Sequence, residues 1–392
     1  MGAKLPLAML TGPPLRRFRK RLQAWFASSR RDLPWRRTKD PYLIWISEIM
    51  LQQTRVAAAI PYYERFAERF PDFKSLAAAP EEEVLRMWAG LGYYSRARNL
   101  QKAARQIVAE HDSQFPRERE EALGLAGIGE YTAAAILSIA YGKKLAVLDG
   151  NVARVLARLV AQRGDLRSNG RWAQLQSLAN DLLAPQAPGD WNEAMMELGA
   201  TMCTPRSPQC LLCPIAEFCQ ARRLGLTEVI PEKRKKRAAV DVQLAALVVI
   251  DTKRRALLLS PARQGDKSGK GPDVAALLSR MWHFPTVIVT REPERELRAY
   301  VHAEVLRRLS SGAKFLPLPP VHHTVTHREI TVHPFRVEVK ELPDIPGAER
   351  LRLQELEAVP VSSLTRKVAQ AALRGREPRR HDSGNRTDKL SF

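Results

Sequence analysis

Two carboxylates far apart in the chain carry the chemistry that the sequence suggests. Glu48 lies in the apolar stretch W-I-S-E-I-M-L-Q-Q-T-R-V (Trp45 to Val56), and Asp149 in A-V-L-D-G-N-V-A-R (Ala146 to Arg154). A carboxylate inside an apolar run is costly unless it is paired, hydrogen-bonded or neutral. A raised pKa suits Glu48 to general-acid work near neutral pH. An ionised Asp149 can stabilise a developing cation. Two carboxyls in divergent environments make an acid and a stabiliser, the logic used on glycosidic bonds. Each alone also has a plain reading, Glu48 as a paired core residue and Asp149 as a helix cap. Between them stands L-A-G-I-G-E-Y-T-A (Leu125 to Ala133). There Gly127 and Gly129 let backbone N–H groups approach a phosphate at the start of a helix, binding it without reading sequence.

The four cysteines, Cys203, Cys210, Cys213 and Cys219, read C-x6-C-x2-C-x5-C. Such clustering in a long chain points to a metal site rather than to disulfides. Four thiolates can hold zinc or an iron–sulfur cluster, and the spacing is neither the usual zinc-finger pattern nor the bacterial ferredoxin run. The loop T-P-R-S-P-Q after Cys203 carries Arg206, a cation that can face a phosphate.

The elements that must position these groups are mostly helical. Leu15 to Ser29 is a basic amphipathic helix with Leu15, Phe18, Leu22, Trp25 and Phe26 on one face. Its arginines read either as a solvated face or as phosphate contacts. The turn D-L-P-W-R (Asp32 to Arg36) follows, then a helix from Pro41 to Thr54. Helical patterns continue to residue 224, with Pro61, Pro71, Pro80 and Pro116 near helix starts. The turn A-G-L-G (89–92), then Tyr93, Tyr94 and S-R-A-R, combines aromatics and arginines in a way that suits intrusion into a base stack, or packing.

The chain has 392 residues, enough for two or three domains, and a formal charge of +21. Charge of that size favours a polyanionic partner, nucleic acid before membrane. No apolar run reaches the length of a membrane span, and the N-terminal stretch makes a poor signal peptide. A soluble, intracellular (cytoplasmic, or nucleoid-associated if bacterial) monomer is therefore expected.

After Leu226 the composition shifts. I-P-E-K-R-K-K-R (Ile230 to Arg237) reads as a charged linker. Beyond it, 242–250, 256–260, 282–289 and 330–339 read as strands, with Pro334 suggesting an edge or bulge. Residues 292–309 and 364–373 read as helices of a separate α/β domain. The expected divisions are an arm (1–14), a helical catalytic region (15–228), a basic linker (229–240), the α/β domain (241–373) and a disordered tail (374–392).

These motifs together resemble the endonuclease III superfamily of helix–hairpin–helix DNA glycosylases. S-E-I-M-L-Q-Q-T, G-L-G-Y-Y-S-R-A-R-N-L and G-I-G-E-Y-T-A are similar to its adenine DNA glycosylase (MutY) family. The resemblance covers residues 15–225 strongly and 241–373 more loosely. It implies an all-α glycosylase region, with a cleft between a six-helix barrel and a [4Fe–4S] cluster domain on the four cysteines. The implied activity is removal of adenine mispaired with 8-oxoguanine or guanine in double-stranded DNA. Glu48 would protonate N7 of the flipped adenine, and Asp149 would stabilise the oxocarbenium ion. Tyr131 would support the sugar intermediate, with Asn151 nearby. Arg36 and Glu193 would hold the adenine, and Gln53, Thr54, Leu91 and Tyr93 would wedge into the duplex.

One residue separates the subfamilies. The bifunctional enzymes carry a Schiff-base lysine where Tyr131 stands, so base release without efficient lyase activity is expected. The C-terminal part resembles the family's Nudix-like 8-oxoguanine reader, with W-H-F-P-T at 282–286 and no intact Nudix hydrolase box. Its reader loop would be Val325-Thr326-His327, in which Thr326 keeps a hydroxyl and His327 a ring. The alternatives are an endonuclease III-like glycosylase/lyase and a non-catalytic iron–sulfur DNA-binding protein.

Overall fold

The computed structural model describes residues 11–232, 238–260, 278, 281–290, 292–301, 313–325, 327–356 and 359–374. The chain forms two compact units that divide between Lys236 and Arg237. The basic run Lys233 to Arg237, Thr326 and most of the expected arm and tail lie outside the described residues.

The first unit is helical: α1 (Gly12–Ser29), α2 (Pro41–Leu51), α3 (Val56–Arg69), α4 (Phe73–Ala78), α5 (Glu81–Met87), α6 (Ser95–Glu110), α7 (Arg119–Gly124), α8 (Glu130–Tyr141), α9 (Gly150–Leu159), α10 (Asn169–Leu182), α11 (Pro188–Glu197) and α12 (Gln220–Arg223). Helix α2 packs against α8, and α8 against α11. The α8–α11 approach is close because Gly189 has no side chain. A Cβ there would stand 2.7 Å from the Ser138 carbonyl oxygen. Trp45, Trp88, Trp191 and Phe18 are fully buried between the helices, each removing a large apolar area from water. None of the described helices is long and apolar enough to cross a membrane.

Local details correct the sequence reading. Helix α1 begins at Gly12, so Pro13 and Pro14 occupy its first turn, where a missing N–H costs nothing. Its arginines are not simply solvated. Arg17 and Arg21 pair with Glu217, and Arg19 donates to the Leu182 and Asp181 carbonyls, while Phe18 stacks edge-on against Phe218. Helix α1 is thereby fastened to the cysteine loop. Pro61 lies inside α3 rather than at its start. Helix α2 ends at Leu51, short of Thr54, because Gln53 takes a left-handed φ of 57° that breaks the helix.

The second unit is a seven-stranded mixed sheet: β1 (Val240–Asp251), β2 (Arg255–Leu259), β3 (Thr286–Ile288), β4 (Leu316–Pro317), β5 (Val321–Val325), β6 (Arg328–Val339) and β7 (Ala348–Arg352). The order is β4-β6-β1-β2-β7, with β3 on β1 and β5 on β6. Among the strands of the described residues, only the β1–β6 pair is parallel. From Leu244 to Ile250 strand β1 is buried on both faces, which explains the unbroken apolar run there. Leu244, Ala246 and Val248 meet the helix Ser363–Arg374, while Ala245, Leu247 and Val249 face the other way, toward Leu297 and Phe335.

Two strand expectations change. Pro334 sits in interior strand β6, not on an edge. Its carbonyl accepts from Leu318 N–H, so its missing donor points into the gap where β5 stops pairing at Val332 and β4 starts at Phe335. The expected strand 282–289 is regular only over Thr286–Ile288, with Trp282 and His283 making isolated bridges. The helix expected at 292–309 is seen as Pro293–Val301, and residues 302–312 lie outside the described set.

Candidate active site

A cavity of about 730 Å³ in the helical unit is lined by Arg31, Arg36, Glu48, Tyr131, Asp149 and Glu193, among others. That volume falls within the range of small-ligand sites. Helix α2 delivers Glu48 into it and α8 delivers Tyr131. The Tyr131 hydroxyl donates to Glu48 Oε2 at 2.8 Å, and it also lies 3.1 Å from Met196 Sδ. Glu48 is only 7 % exposed. Burial pushes its pKa up to about 7, aided by the charges of Asp149 and Glu193 and opposed by the Tyr131 hydroxyl and Arg36. Burial likewise raises Tyr131 well above the ordinary phenol, so its proton stays on.

Asp149 is the N-cap of α9. Its Oδ1 accepts from the Val152 N–H at 2.7 Å, and its Oδ2 accepts from Asn151 Nδ2 at 3.0 Å. Burial raises its pKa, and these donors hold the rise down. Both carboxyls are desolvated; Glu48 is held by the single Tyr131 hydroxyl, whereas Asp149 has both the Val152 N–H and the Asn151 amide. The segment that delivers Asp149 is clamped by Asn192 of α11. Asn192 donates to the Leu145 carbonyl at 2.7 Å and to Ser138 Oγ at 2.8 Å, and accepts from Val147 N–H at 3.1 Å. Asn151 is itself held. Arg154 Nη2 donates to Asn151 Oδ1 at 3.0 Å, and Arg154 Nε donates to the Cys203 carbonyl at 2.8 Å.

The opposite wall is a charged clamp. Arg36, on the short 3-10 turn Pro34–Arg36, donates from Nε to Glu193 at 3.2 Å and from Nη2 to Glu197 at 2.9 Å. Arg31 grips Glu197 through two bonds of 2.7 Å. Burial works to raise Glu197, but the hydrogen bonds from Arg31 and Arg36 pull it below its ordinary value. Glu193, hydrogen-bonded by Arg36, is raised by burial, with the charges of Arg36 and Lys39 opposing the rise.

Glu48, Tyr131, Asp149, Asn151, Arg36, Glu193, Gln53, Thr54, Gly127 and Gly129 all line the one cavity. Gly129 is the N-cap of α8, and Gly127 has a φ of 77° with Asn99 packed where a Cβ would go. Leu91, Tyr93 and Arg206 are not among the lining residues. Leu91 is buried at 9 % exposure, whereas Tyr93 is 42 % exposed. Arg206 stands exposed on the cysteine loop. In the second unit, the β5–β6 hairpin places His327 at its exposed tip. The sequence reading missed Arg31, Met196 and Glu197. W-N-E-A-M-M-E-L-G held a signal for Glu197, a second carboxylate one helical turn beyond Glu193.

The four cysteines ring one small cavity together with Arg158 and Met202. Among the described residues, no three Cys, His, Asp or Glu side chains gather closely enough for a single metal ion. Arg158 Nη1 lies 3.2 Å from Cys203 Sγ, a donor suited to a thiolate. Burial pushes the Cys213 thiol up to about 12, so a bound cationic centre is what would keep it deprotonated. These residues fit an iron–sulfur cluster, which when bound would tie four points of the 203–219 loop into one body. Cys213→Ser is expected to lose the visible iron–thiolate absorption and to loosen the loop against α1. Unchanged absorption and iron content in the purified variant would remove Cys213 from the ligand set.

Comparisons with known proteins agree with this geometry. Residues 46–178 match the HhH-GPD superfamily of base excision DNA repair proteins, and residues 203–219 match the iron–sulfur binding domain of endonuclease III. A solved structure of a thermostable thymine-DNA glycosylase superposes with a TM-score of 0.50 at 31% identity, covering 54% of this chain and 97% of that one. The adenine DNA glycosylase of Homo sapiens is 35% identical over 405 residues, covering 90% of this chain and 73% of its own length. That of Rattus norvegicus is 35% identical over 402 residues, covering 90% and 77%. With both carboxylates in one cavity, an iron–sulfur cysteine loop, and relatives matching across both units, the chain belongs to the adenine DNA glycosylase family.

Proposed function

We propose that this enzyme removes adenine mispaired with 8-oxoguanine or guanine in duplex DNA, acting as a monomer and without efficient lyase activity. The observation that carries the reading is the desolvated Glu48 facing Tyr131 in the same cavity as a hydrogen-bonded Asp149. Adenine leaves poorly as an anion, so protonation at N7 lowers the barrier. Glu48, half protonated near pH 7, is the acid. Asp149, its carboxylate oriented by Val152 N–H and Asn151, faces the positive charge that develops on the sugar. Tyr131 keeps its proton and steadies Glu48, and as a phenol it cannot form the Schiff base that strand cleavage requires. Adenine presents both donors and acceptors on its edges. Glu193 suits the exocyclic amine and Arg36 a ring nitrogen.

The target must first leave the stack, which costs a few kcal/mol and less at a mispair. Gln53, Thr54, Leu91 and Tyr93 are the wedge in this reading, and Gly127, Gly129 and Arg206 meet the backbone. The mixed sheet of the second unit, with helices on both faces and W-H-F-P-T at 282–286, is read as a Nudix-like reader of the oxidised guanine. His327 at its hairpin tip makes the contact.

The test uses three duplexes: adenine opposite 8-oxoguanine, adenine opposite guanine, and thymine glycol opposite adenine, each with and without alkaline workup. We expect adenine release that needs alkali for strand breakage and is fastest opposite 8-oxoguanine. Equal rates opposite guanine would remove the hairpin as a reader. Scission at thymine glycol without alkali would overturn the monofunctional reading.

A further inference from the structure

We propose that Arg96 is a positioning residue that pre-forms the wedge, holding both of its segments against the helix that carries Glu48. This rests on the wedge reading above. Arg96 stands in the first turn of α6 and is only 8 % exposed. Its Nη1 donates to the carbonyls of Ile49 (2.8 Å), Met50 (3.0 Å) and Gln52. Its Nη2 donates to the carbonyls of Leu91 (3.2 Å) and Gly92 (3.2 Å) and to Thr54 Oγ1 (3.3 Å). One guanidinium thus joins the C-terminal end of α2, the Gln52–Thr54 turn and the Leu91–Gly92 turn.

The guanidinium lies over two rings, 5.3 Å from the centroid of Trp88 and 5.6 Å from that of Tyr93. Tyr93 is the exposed aromatic of the turn, so its inner face rests on the cation while its outer face is open. The charge has no carboxylate partner among the salt bridges of the described residues. It is offset by the three carbonyls at the negative end of the α2 dipole and by the ring faces.

Both held segments are in a conformation that side chains resist. Gln53 has a φ of 57° and Tyr93 a φ of 49°. Non-glycine residues stay in the left-handed region only where their surroundings impose it. The planar fork of arginine can reach both turns at once, whereas lysine keeps the charge but has a single nitrogen with three donors.

The experiment compares Arg96→Lys with Tyr93→Ala in single-turnover adenine release, with rates normalised by active-site titration so that only folded molecules count. Two substrates are used: an adenine stacked in a mispaired duplex and an extrahelical adenine in a single-base bulge. Tyr93→Ala should lose rate mainly on the stacked substrate. Arg96→Lys should lose about 10–100-fold there and much less on the bulge, in line with releasing one or two strained residues. The double variant should be no slower than the slower single one, because both act on one step. Equal loss on both substrates, no loss on either, or full additivity with Tyr93→Ala would overturn the role of Arg96. A Tyr93→Ala variant with no substrate selectivity would instead overturn the wedge reading itself.

Discussion

Glu48→Gln is expected to slow single-turnover adenine release by about 10²–10⁴-fold, the contribution typical of a positioned general acid. Glutamine keeps the size of the side chain but carries no transferable proton. The wild-type rate should fall as pH rises through about 7, because burial has moved Glu48 there from the ordinary value of 4.5. A stability effect in the same pH direction follows from the same shift. The folded protein holds a proton on Glu48 that the unfolded chain releases between about pH 4.5 and 7. Wild-type stability from this group is therefore intact below 4.5 and is lost as pH rises through 7, by about 3 kcal/mol at roughly 1.4 kcal/mol per pH unit. Glutamine does not titrate, so Glu48→Gln should melt higher relative to wild type at pH 8 than at pH 5. A variant that kept its rate, or a rate whose falling limb lay in the ordinary carboxylate range, would remove Glu48 as the acid.

The residues proposed to do chemistry were legible because each stands in a short run of unusual composition. Glu48 interrupts an apolar helix, Asp149 precedes a glycine at a helix start, and the cysteines are spaced as a set. Their partners were hidden for a physical reason. The partners of Arg96 Nη1 and Nη2 are almost all backbone carbonyls, and every residue has a carbonyl, so no side-chain pattern announces the contact. The motif S-R-A-R suggested cations near a base stack, yet Arg96 is buried and Arg98 pairs with Glu81. Arg31 and Glu197 meet across 166 positions of chain, a pairing that only the α1–α11 packing creates. In the sheet, β1 was legible from its apolar run. Strands β5 and β7, H-H-T-V and A-E-R-L-R in part, carry alternating polar residues at the margins of the sheet and show too little apolar period to be seen. Pro334 misled because the rule against proline inside a sheet assumes an unbroken neighbour on both sides, and here the neighbour is broken at that residue.

Asp149 tests whether the second carboxylate is a cap or a catalyst, since the structure makes it a cap in any case. Its Oδ1 accepts the Val152 N–H, a bond that asparagine can reproduce, and asparagine and aspartate rank together as N-caps. Asp149→Asn should therefore leave the melting temperature nearly unchanged and mispair binding intact. The variant loses the negative charge proposed to face the sugar, and adenine release should fall by about 10²–10³-fold, the scale of losing one preorganised electrostatic contact in a dry site. Asp149→Ala removes the cap as well and should cost about 1 kcal/mol of stability. The two substitutions separate the roles. If Asp149→Asn releases adenine at the wild-type rate while Asp149→Ala merely unfolds more easily, the aspartate serves helix α9 alone. A large rate loss in a fully stable Asp149→Asn places the charge in the reaction. The Asn151 amide at 3.0 Å then has a purpose beyond local packing: it fixes the plane of a carboxylate whose unbonded lone pairs must face the developing cation.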